Sequence, residues 1–142
     1  MPKISLLNMC LGFVFIFLSA SAGLFLSTEH VRAHVEGGAE LLSWWMQLST
    51  SAHGHTNLFG VLHILLGLTF PYAFKHSGIR LFQTIGLLCG SLSMSFLMYL
   101  RALGEPSLEY DLIGIFIGAG LGLSLTAIGL QVLGIGSRLT RS

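Results

Sequence analysis

Four stretches of this sequence are long enough to cross a lipid bilayer, and none of them contains Asp, Glu, Lys or Arg. They are Ile4–Leu26, Thr56–Phe74, Leu81–Leu100 and Leu112–Gly136. About 20 apolar residues in a helix span the hydrocarbon core. Backbone groups find no water there, so such segments must be helical. We therefore predict an all-α fold, in which residues 1–142 form one transmembrane domain with four helices in an up-down-up-down bundle.

The composition agrees with lipid as the main solvent of the chain. Hydrophobic residues make up 53% of the sequence and charged residues only 9%, whereas about a quarter of a soluble domain is charged. The net charge of +1 gives no electrostatic reason to expect nucleic acid as a partner. The predicted partners are the bilayer and either other membrane subunits or further copies of this chain. Lys3, the apolar run after it and Ala20-Ser21-Ala22 together imitate a signal peptide, but we expect a retained span.

The basic residues between the apolar stretches predict the orientation. Five of them fall at the N-terminus, the second connection and the C-terminus: Lys3, Lys75, Arg80, Arg138 and Arg141. Only Arg32 and Arg101 fall in the first and third connections. Cytoplasmic segments are enriched in Lys and Arg. We therefore expect both termini in the cytoplasm, and the bacterial inner membrane as the location.

The first connection, Glu29–Ala52, is too polar to span a bilayer and contains several large apolar residues. Trp44 and Trp45 are of the type favoured at membrane interfaces. Gly37-Gly38 is expected to break the segment in two. We predict a partly helical, amphipathic segment that lies on the outer membrane surface.

Small residues recur at four-residue steps in the last two apolar stretches. Gly114, Gly118 and Gly122 form one series, and Gly86 and Gly90 form another. This spacing lets helix backbones approach closely in lipid. The sequence leaves open whether the stripes serve a contact within the bundle or a contact between subunits.

Histidines supply the most chemically informative pattern, because five of the six lie between His30 and His63. Imidazole binds Zn, Cu and Fe and supplies axial ligands to heme. A histidine inside a membrane span is a functional candidate by default. We therefore predict heme b or a transition metal (Cu, Fe or Zn) as cofactor. The candidate cofactor-binding residues are His53, His55 and His63, and the candidate metal ligands are His30, His34, His53 and His55.

Each candidate also has a structural interpretation. His63 could hydrogen-bond to a serine on a neighbouring helix, with Ser91, Ser93 and Ser95 as candidates. His53 and His55 could face interfacial water, and His30 and His34 could lie on a solvated helix face. On a helix, His53 and His55 would point about 200° apart and would serve different centres. In an extended segment, both could grip one metal.

The segment Ala52-His53-Gly54-His55-Thr56-Asn57-Leu58-Phe59-Gly60 resembles histidine-bearing helices in the catalytic subunits of heme-copper oxidases and nitric oxide reductases. His34-Val35-Glu36-Gly37 resembles a His/Glu segment of the latter group. The resemblance covers about a fifth of the chain and implies heme or redox-metal chemistry. The other metal-binding histidines of that family have no counterpart here, since the last two apolar stretches contain no histidine.

Two functions from different classes remain open. The first is a small membrane protein that binds heme b or a transition metal near the outer face, as a subunit of a redox or respiratory assembly. The second is a cofactor-free accessory or assembly subunit of a larger membrane complex. A metal-dependent enzyme ranks below both, because no nucleophile–base pair or phosphate loop is visible. Transport ranks lower still, because no apolar stretch contains a charged residue.

Overall fold

The computed structural model of the chain describes residues 1–37, 43–106 and 111–140, which contain helices and no strand. The helices are α1 (Lys3–Gly37), α2 (Trp44–Thr69), α3 (Ser77–Leu92), α4 (Met98–Ala102) and α5 (Leu112–Leu139), with a short 3-10 helix at Phe70–Tyr72 and a π-helix at Ser93–Leu97. The π-helix joins α3 to α4 without a break, so Ser77–Ala102 is one continuous rod of 26 residues. The predicted all-α fold with four long helices is confirmed.

Three of these four helices are long and apolar enough to cross a membrane: α1, the Ser77–Ala102 rod and α5. Helix α2 falls short of that apolarity because His53, His55, Asn57 and His63 lie along it. It is nonetheless 26 residues long, or about 39 Å at 1.5 Å per residue. Three membrane-compatible helices agree with the prediction of a membrane protein.

The segment between Glu29 and Ala52 is helical in the residues that the structure describes, and its place on the outer membrane surface stays a prediction. Helix α1 continues through Glu29 and Arg32 to Gly37, and α2 begins already at Trp44. Arg32 pairs with Glu29 one turn away at 3.1 Å, which supports the helical extension. The end of α1 (Glu29–Gly37) and the beginning of α2 (Trp44–Ala52) are therefore helical, and we call them the two helical arms. The predicted break is consistent with the end of α1 at Gly37, but Gly38–Leu42 lie outside the described residues.

Local contacts explain why α2 starts and ends where it does. The Ser43 hydroxyl accepts a hydrogen bond from the Met46 backbone N–H at 3.3 Å, which makes Ser43 the N-cap. Pro71 has no backbone N–H to continue an α-helix, and the chain passes into the 3-10 turn after Thr69. Arg80 then donates from Nε to the Phe74 carbonyl at 2.7 Å. The predicted span Thr56–Phe74 is consequently displaced toward the N-terminus.

Glycines allow the close packing of α1 on α2 and of the rod on α5. A methyl group at Gly12 would lie 2.5 Å from the Gly60 carbonyl oxygen, so the two backbones touch. At Gly120, a methyl group would lie 2.8 Å from the Cys89 carbonyl oxygen. Contacts between α2 and the rod join these two pairs into a bundle. Small residues thus hold the helices near enough for their polar side chains to meet.

The two glycine stripes seen in the sequence have different surroundings. Gly86 faces α5, since a methyl group there would lie 2.9 Å from the Leu123 carbonyl oxygen. Gly118 and Gly122 have open space at the position of a side chain, with no atom within 4 Å. The stripe on the third apolar stretch therefore serves packing inside the bundle. On the fourth, Gly118 and Gly122 face away from it, while a methyl group at Gly114 would lie 3.2 Å from the Arg101 guanidinium.

Candidate functional site

His63 lies at the centre of a buried hydrogen-bond network that joins three helices. Its side chain is fully buried, with Nδ1 at 2.9 Å from the Asn8 amide oxygen and Nε2 at 3.1 Å from the Ser91 hydroxyl. Asn8 also donates to the Thr84 hydroxyl at 2.8 Å. The network links α1, α2 and α3 through polar groups that have no water to replace them in a bilayer.

The hydrogen-bond partners of Asn8 determine which His63 nitrogen carries the proton. The Asn8 amide nitrogen uses its two hydrogens on the Ile4 carbonyl and the Thr84 hydroxyl. The Asn8 oxygen must therefore accept, and His63 Nδ1–H donates to it. When the imidazole is neutral, Nε2 accepts from Ser91. When it is protonated, Nε2–H donates and the Ser91 hydroxyl turns to the Leu87 carbonyl, 2.8 Å away. Ser91 can thus form a hydrogen bond with both the neutral and the protonated His63 imidazole.

Both faces of the His63 site at which a metal or heme iron could bind are next to hydrogen-bond partners or an aromatic ring. Both ring nitrogens face hydrogen-bond partners on neighbouring helices. The Phe15 ring stacks on the imidazole, with centroids 5.7 Å apart and planes within 10° of parallel. An iron atom on Nε2 would have to displace Ser91. The structural interpretation of His63, a hydrogen bond to a serine, describes its surroundings.

His53 lies between α1 and α2 and contacts both. Ser19 donates to the His53 carbonyl at 2.9 Å, so its oxygen is left to accept from His53 Nδ1 at 3.0 Å. The ring packs against Gly23, where a methyl group would lie 2.6 Å from the imidazole Cε1. Nε2 is 3.5 Å from the Asn57 amide nitrogen, at the edge of hydrogen-bond distance. His53 therefore contributes to the joint between the two helices.

His55 points elsewhere, as expected for a helical His-Gly-His segment. Its Nδ1 donates to the Ser51 carbonyl of its own helix at 2.8 Å. A hydrogen bond from Nδ1–H to a backbone carbonyl fixes the tautomer in which Nε2 carries the lone pair. The ring lines a shallow surface depression with Ser51, Gly54 and Leu58. His53 faces Ser19 of α1 and His55 faces Ser51 of its own helix, so the two histidines would serve different centres.

The remaining candidates lie on the two helical arms. His30 Nε2 is 3.0 Å from the Thr50 hydroxyl and ties α1 to α2, and His34 is exposed in the last turn of α1. In the described ranges, no three His, Cys, Asp or Glu side chains come close enough to hold a metal together. The histidines predicted as metal ligands are thus placed along the α1–α2 pair, each with its own surroundings.

A cavity of about 290 Å³ is lined in part by Phe15, whose ring also stacks on His63. Its lining residues come from α1, α2 and the rod: Phe15, Leu18, Ser19, Ala22, Thr56, Leu92, Ser95, Phe96 and Tyr99. The π-helix forms part of its wall through Ser95 and Phe96. π-helical turns are rare and are frequently found at functional sites.

Sequence reasoning did not identify Asn8, Phe15 or Tyr99 as members of a site. One signal was available, because Asn8 is a polar amide inside the first apolar stretch. Its partner Thr84 lies 76 residues away in the chain, so the pairing itself could not be predicted. No family model, curated protein or solved structure matches this chain.

Proposed function

We propose that this chain is a small polytopic subunit of a redox or respiratory membrane assembly, and that His55 supplies one ligand to heme b or a transition metal. The observation that carries the proposal is the geometry of His55. Its Nδ1 is held by the Ser51 carbonyl, and orientation of a histidine through its second nitrogen is the usual support for a metal ligand. Nε2 is then the nitrogen available for coordination.

The surroundings of His55 suit a site shared with a partner. Gly54 next to it has no atom within 4 Å of the position of a side chain, and Leu58 is exposed. A flat ligand could therefore lie against this face of α2 without a clash from Gly54. Because His53 and His63 are engaged inside the bundle, the opposing ligand would come from a second copy or another subunit. When bound, heme or metal would supply electron transfer.

The absorption spectrum of protein purified from its native membrane, before and after dithionite, tests this proposal. A heme with histidine ligands should give a low-spin spectrum that sharpens on reduction. His55→Ala should lower the heme content at least tenfold, and His76→Ala, a change at an exposed N-cap histidine, should leave it unchanged. Added imidazole should restore the spectrum of His55→Gly. One heme per two chains would identify a second copy as the partner.

Elemental analysis covers the case of a transition metal. Copper, iron or zinc should co-purify in a fixed ratio to the chain, and the ratio should fall in His55→Ala. Protein from the native membrane that has neither heme absorbance nor stoichiometric metal would contradict a cofactor-binding role. Unchanged occupancy in His55→Ala would contradict the choice of residue.

The accessory subunit without cofactor is the second candidate, and the outward glycines of α5 favour it. Gly118 and Gly122 have open space beside them, and such stripes are typical of contacts between membrane helices. In this function, the stripe packs against a helix of a larger complex, and the histidines serve only the internal joints of the chain.

Substitution of paired positions on α5 tests the accessory role. Gly118→Leu should weaken recovery of the chain with its native complex and leave the thermal stability of the isolated protein unchanged. Leu121→Ala is the matched control, because Leu121 packs partly against the core of the bundle. It should lower the stability and leave the association intact. Equal behaviour of both variants in both measurements would show that the stripe faces lipid only.

A further inference from the structure

The cavity lined by Phe15 contains two hydroxyl groups that are buried without a hydrogen-bond partner, as Ser5 and Ser49 also are elsewhere in the described residues. In the described part of the chain, Ser95 Oγ and Tyr99 Oη are buried and have no hydrogen-bond partner. Ser95 is only 8% exposed. Both residues line the cavity. A buried hydroxyl without a partner costs about 1–3 kcal/mol. A ligand that accepts hydrogen bonds from these groups would therefore recover part of that free energy on binding.

Ser95 differs from several other serines and threonines, whose hydroxyls bond to the backbone of their own helix. Thr56 and Thr84 each donate to the carbonyl four residues earlier, at 2.7–2.8 Å, and Ser91 lies at the same distance from its own. Ser95 lies in the π-helix Ser93–Leu97, where the backbone turn is wider, and its hydroxyl makes no such bond. This hydroxyl is therefore available to the cavity.

A second cavity in the bundle provides a comparison. It has a volume of about 230 Å³ and is lined by apolar residues together with Thr69 and Gln131. The Gln131 amide donates to the Thr69 hydroxyl at 2.8 Å and its oxygen accepts from Gln83 at 2.9 Å, while Thr69 donates to the Leu65 carbonyl at 2.6 Å. All of its lining polar groups are paired, so nothing there calls for a polar ligand.

The lining of the first cavity indicates the chemistry of its ligand. None of the nine lining residues is charged, so an uncharged molecule fits best. Phe96 is 60% exposed at the rim, which gives a molecule dissolved in lipid a route inward. Ser95 lies seven residues before the end of the rod at Ala102, or about 10 Å along the helix. The polar group of the ligand is therefore held below the level of the helix end.

We propose that this cavity binds an uncharged, lipid-soluble ring ketone of the quinone class, with Ser95 and Tyr99 donating to its carbonyl oxygen. Phe15, Phe96 and Tyr99 offer aromatic faces to a flat ring. The hydroxyls at positions 95 and 99 are four residues apart, hence on neighbouring turns of one helix face. The ester carbonyl of a phospholipid offers the same acceptor, but it is tied to a headgroup at the membrane surface. The depth of Ser95 favours the free ring.

Equilibrium binding of a decyl-substituted benzoquinone to the full chain in lipid nanodiscs tests the proposal. The probe should show a saturable component of about one per chain, above the partitioning measured in empty nanodiscs. Ser95→Ala and Tyr99→Phe remove the donors and little of the surrounding shape. Each should weaken binding roughly threefold to tenfold, as expected for the loss of one hydrogen bond. Tyr72→Phe, a change at an exposed residue, should leave binding unchanged.

The same nanodiscs distinguish the two sources of a carbonyl. A phospholipid that co-purifies with the wild-type chain, resists displacement by the quinone and is lost from the Ser95→Ala/Tyr99→Phe double variant would overturn the assignment in favour of lipid. Binding that does not saturate, or that is equal in the wild type and the double variant, would also overturn it. A folded double variant, shown by unchanged circular dichroism, is required for the comparison. Displacement of bound probe by 2-methyl-1,4-naphthoquinone, but not by decane, would support the proposed ring carbonyl.

Discussion

The interior around His63 and the neighbouring cavity differ in how their polar groups are satisfied, although the Phe15 ring contacts both. On one side, His63, Asn8 and Ser91 have partners on other helices. On the other, Ser95 and Tyr99 have none in the described residues. The first arrangement is what a stable membrane bundle requires. The second lowers stability and therefore indicates where a ligand could act.

Removal of the Phe15 side chain, which contacts both regions, should have the largest effect on stability. Phe15→Ala would join the cavity to the His63 network and should lower the free energy of unfolding by about 3 kcal/mol, since a buried aromatic ring is lost. His63 should also become reactive toward diethyl pyrocarbonate, from which it is shielded in the wild type. Denaturant titration and mass spectrometry of the modified histidines would check both. Phe17→Ala, at a residue 71% exposed on the same helix, is the control.

Loss of the His63 hydrogen bonds should have the second-largest effect on stability. His63→Leu leaves the Asn8 oxygen without its partner, while Ser91 can still donate to the Leu87 carbonyl, and should cost about 2 kcal/mol. A double-mutant cycle with Ser91→Ala should give a coupling energy of about 0.6–1.7 kcal/mol, the range for hydrogen bonds between membrane helices. Additive effects of the two changes would show that the hydrogen bond contributes nothing to stability.

Removal of a hydroxyl group that lines the cavity should change the stability very little. Ser95→Ala removes a hydroxyl that has no partner, so the free energy of unfolding without ligand should stay equal or rise by up to about 1 kcal/mol. Ser91→Ala, one turn earlier on the same rod, should lower it. Thermal unfolding of both variants in the same detergent would compare them directly. A loss in Ser95→Ala as large as in Ser91→Ala would remove the distinction between the two regions.

Asp111 extends the comparison to a satisfied polar group at the surface, with the smallest expected effect. The Gly114 backbone N–H donates to its carboxylate at 2.6 Å and the Arg101 guanidinium pairs with it. Both lower the pKa of Asp111 below its ordinary value. Its contribution is therefore fully present above the ordinary pKa and is lost as the pH falls through the lowered one. Unfolding followed between pH 6 and the acid range should show this loss in the wild type and not in Asp111→Asn.

The predictability of the two regions from sequence differs for a physical reason. The long helices follow from uncharged length, and the start of α5 after Asp111 was placed correctly because charge and apolarity change there. The arms after Glu29 were missed, since polar composition suggested a surface segment where i,i+3 pairing continues the helix. His63 was recognised as unusual, and Ser91 was among its suggested partners. The Asn8 contact depends on how α1 crosses α2, which local sequence does not specify.

The cavity could not be predicted from the sequence, for another reason. Ser95 and Tyr99 resemble ordinary polar residues of a membrane helix until the backbone between them is known. The sequence Ser93-Met94-Ser95-Phe96-Leu97 contains no Pro or Gly that would predict a departure from α-geometry. Only the structure shows the π-helix and, with it, the hydroxyl that cannot satisfy itself.

The π-helix also changes the directions in which the side chains of the rod point on its two sides. In a regular α-helix, residues four apart drift by about 40° per step, so positions 91, 95 and 99 would spread over about 80°. The wider π-turn between Ser93 and Leu97 reduces that drift. Ser91 can therefore meet His63 while Ser95 and Tyr99 line the next cavity along the rod. If this turn took up regular α-geometry with all of its residues retained, everything after it would rotate, so that Tyr99 would leave the cavity while Ser91 kept its place.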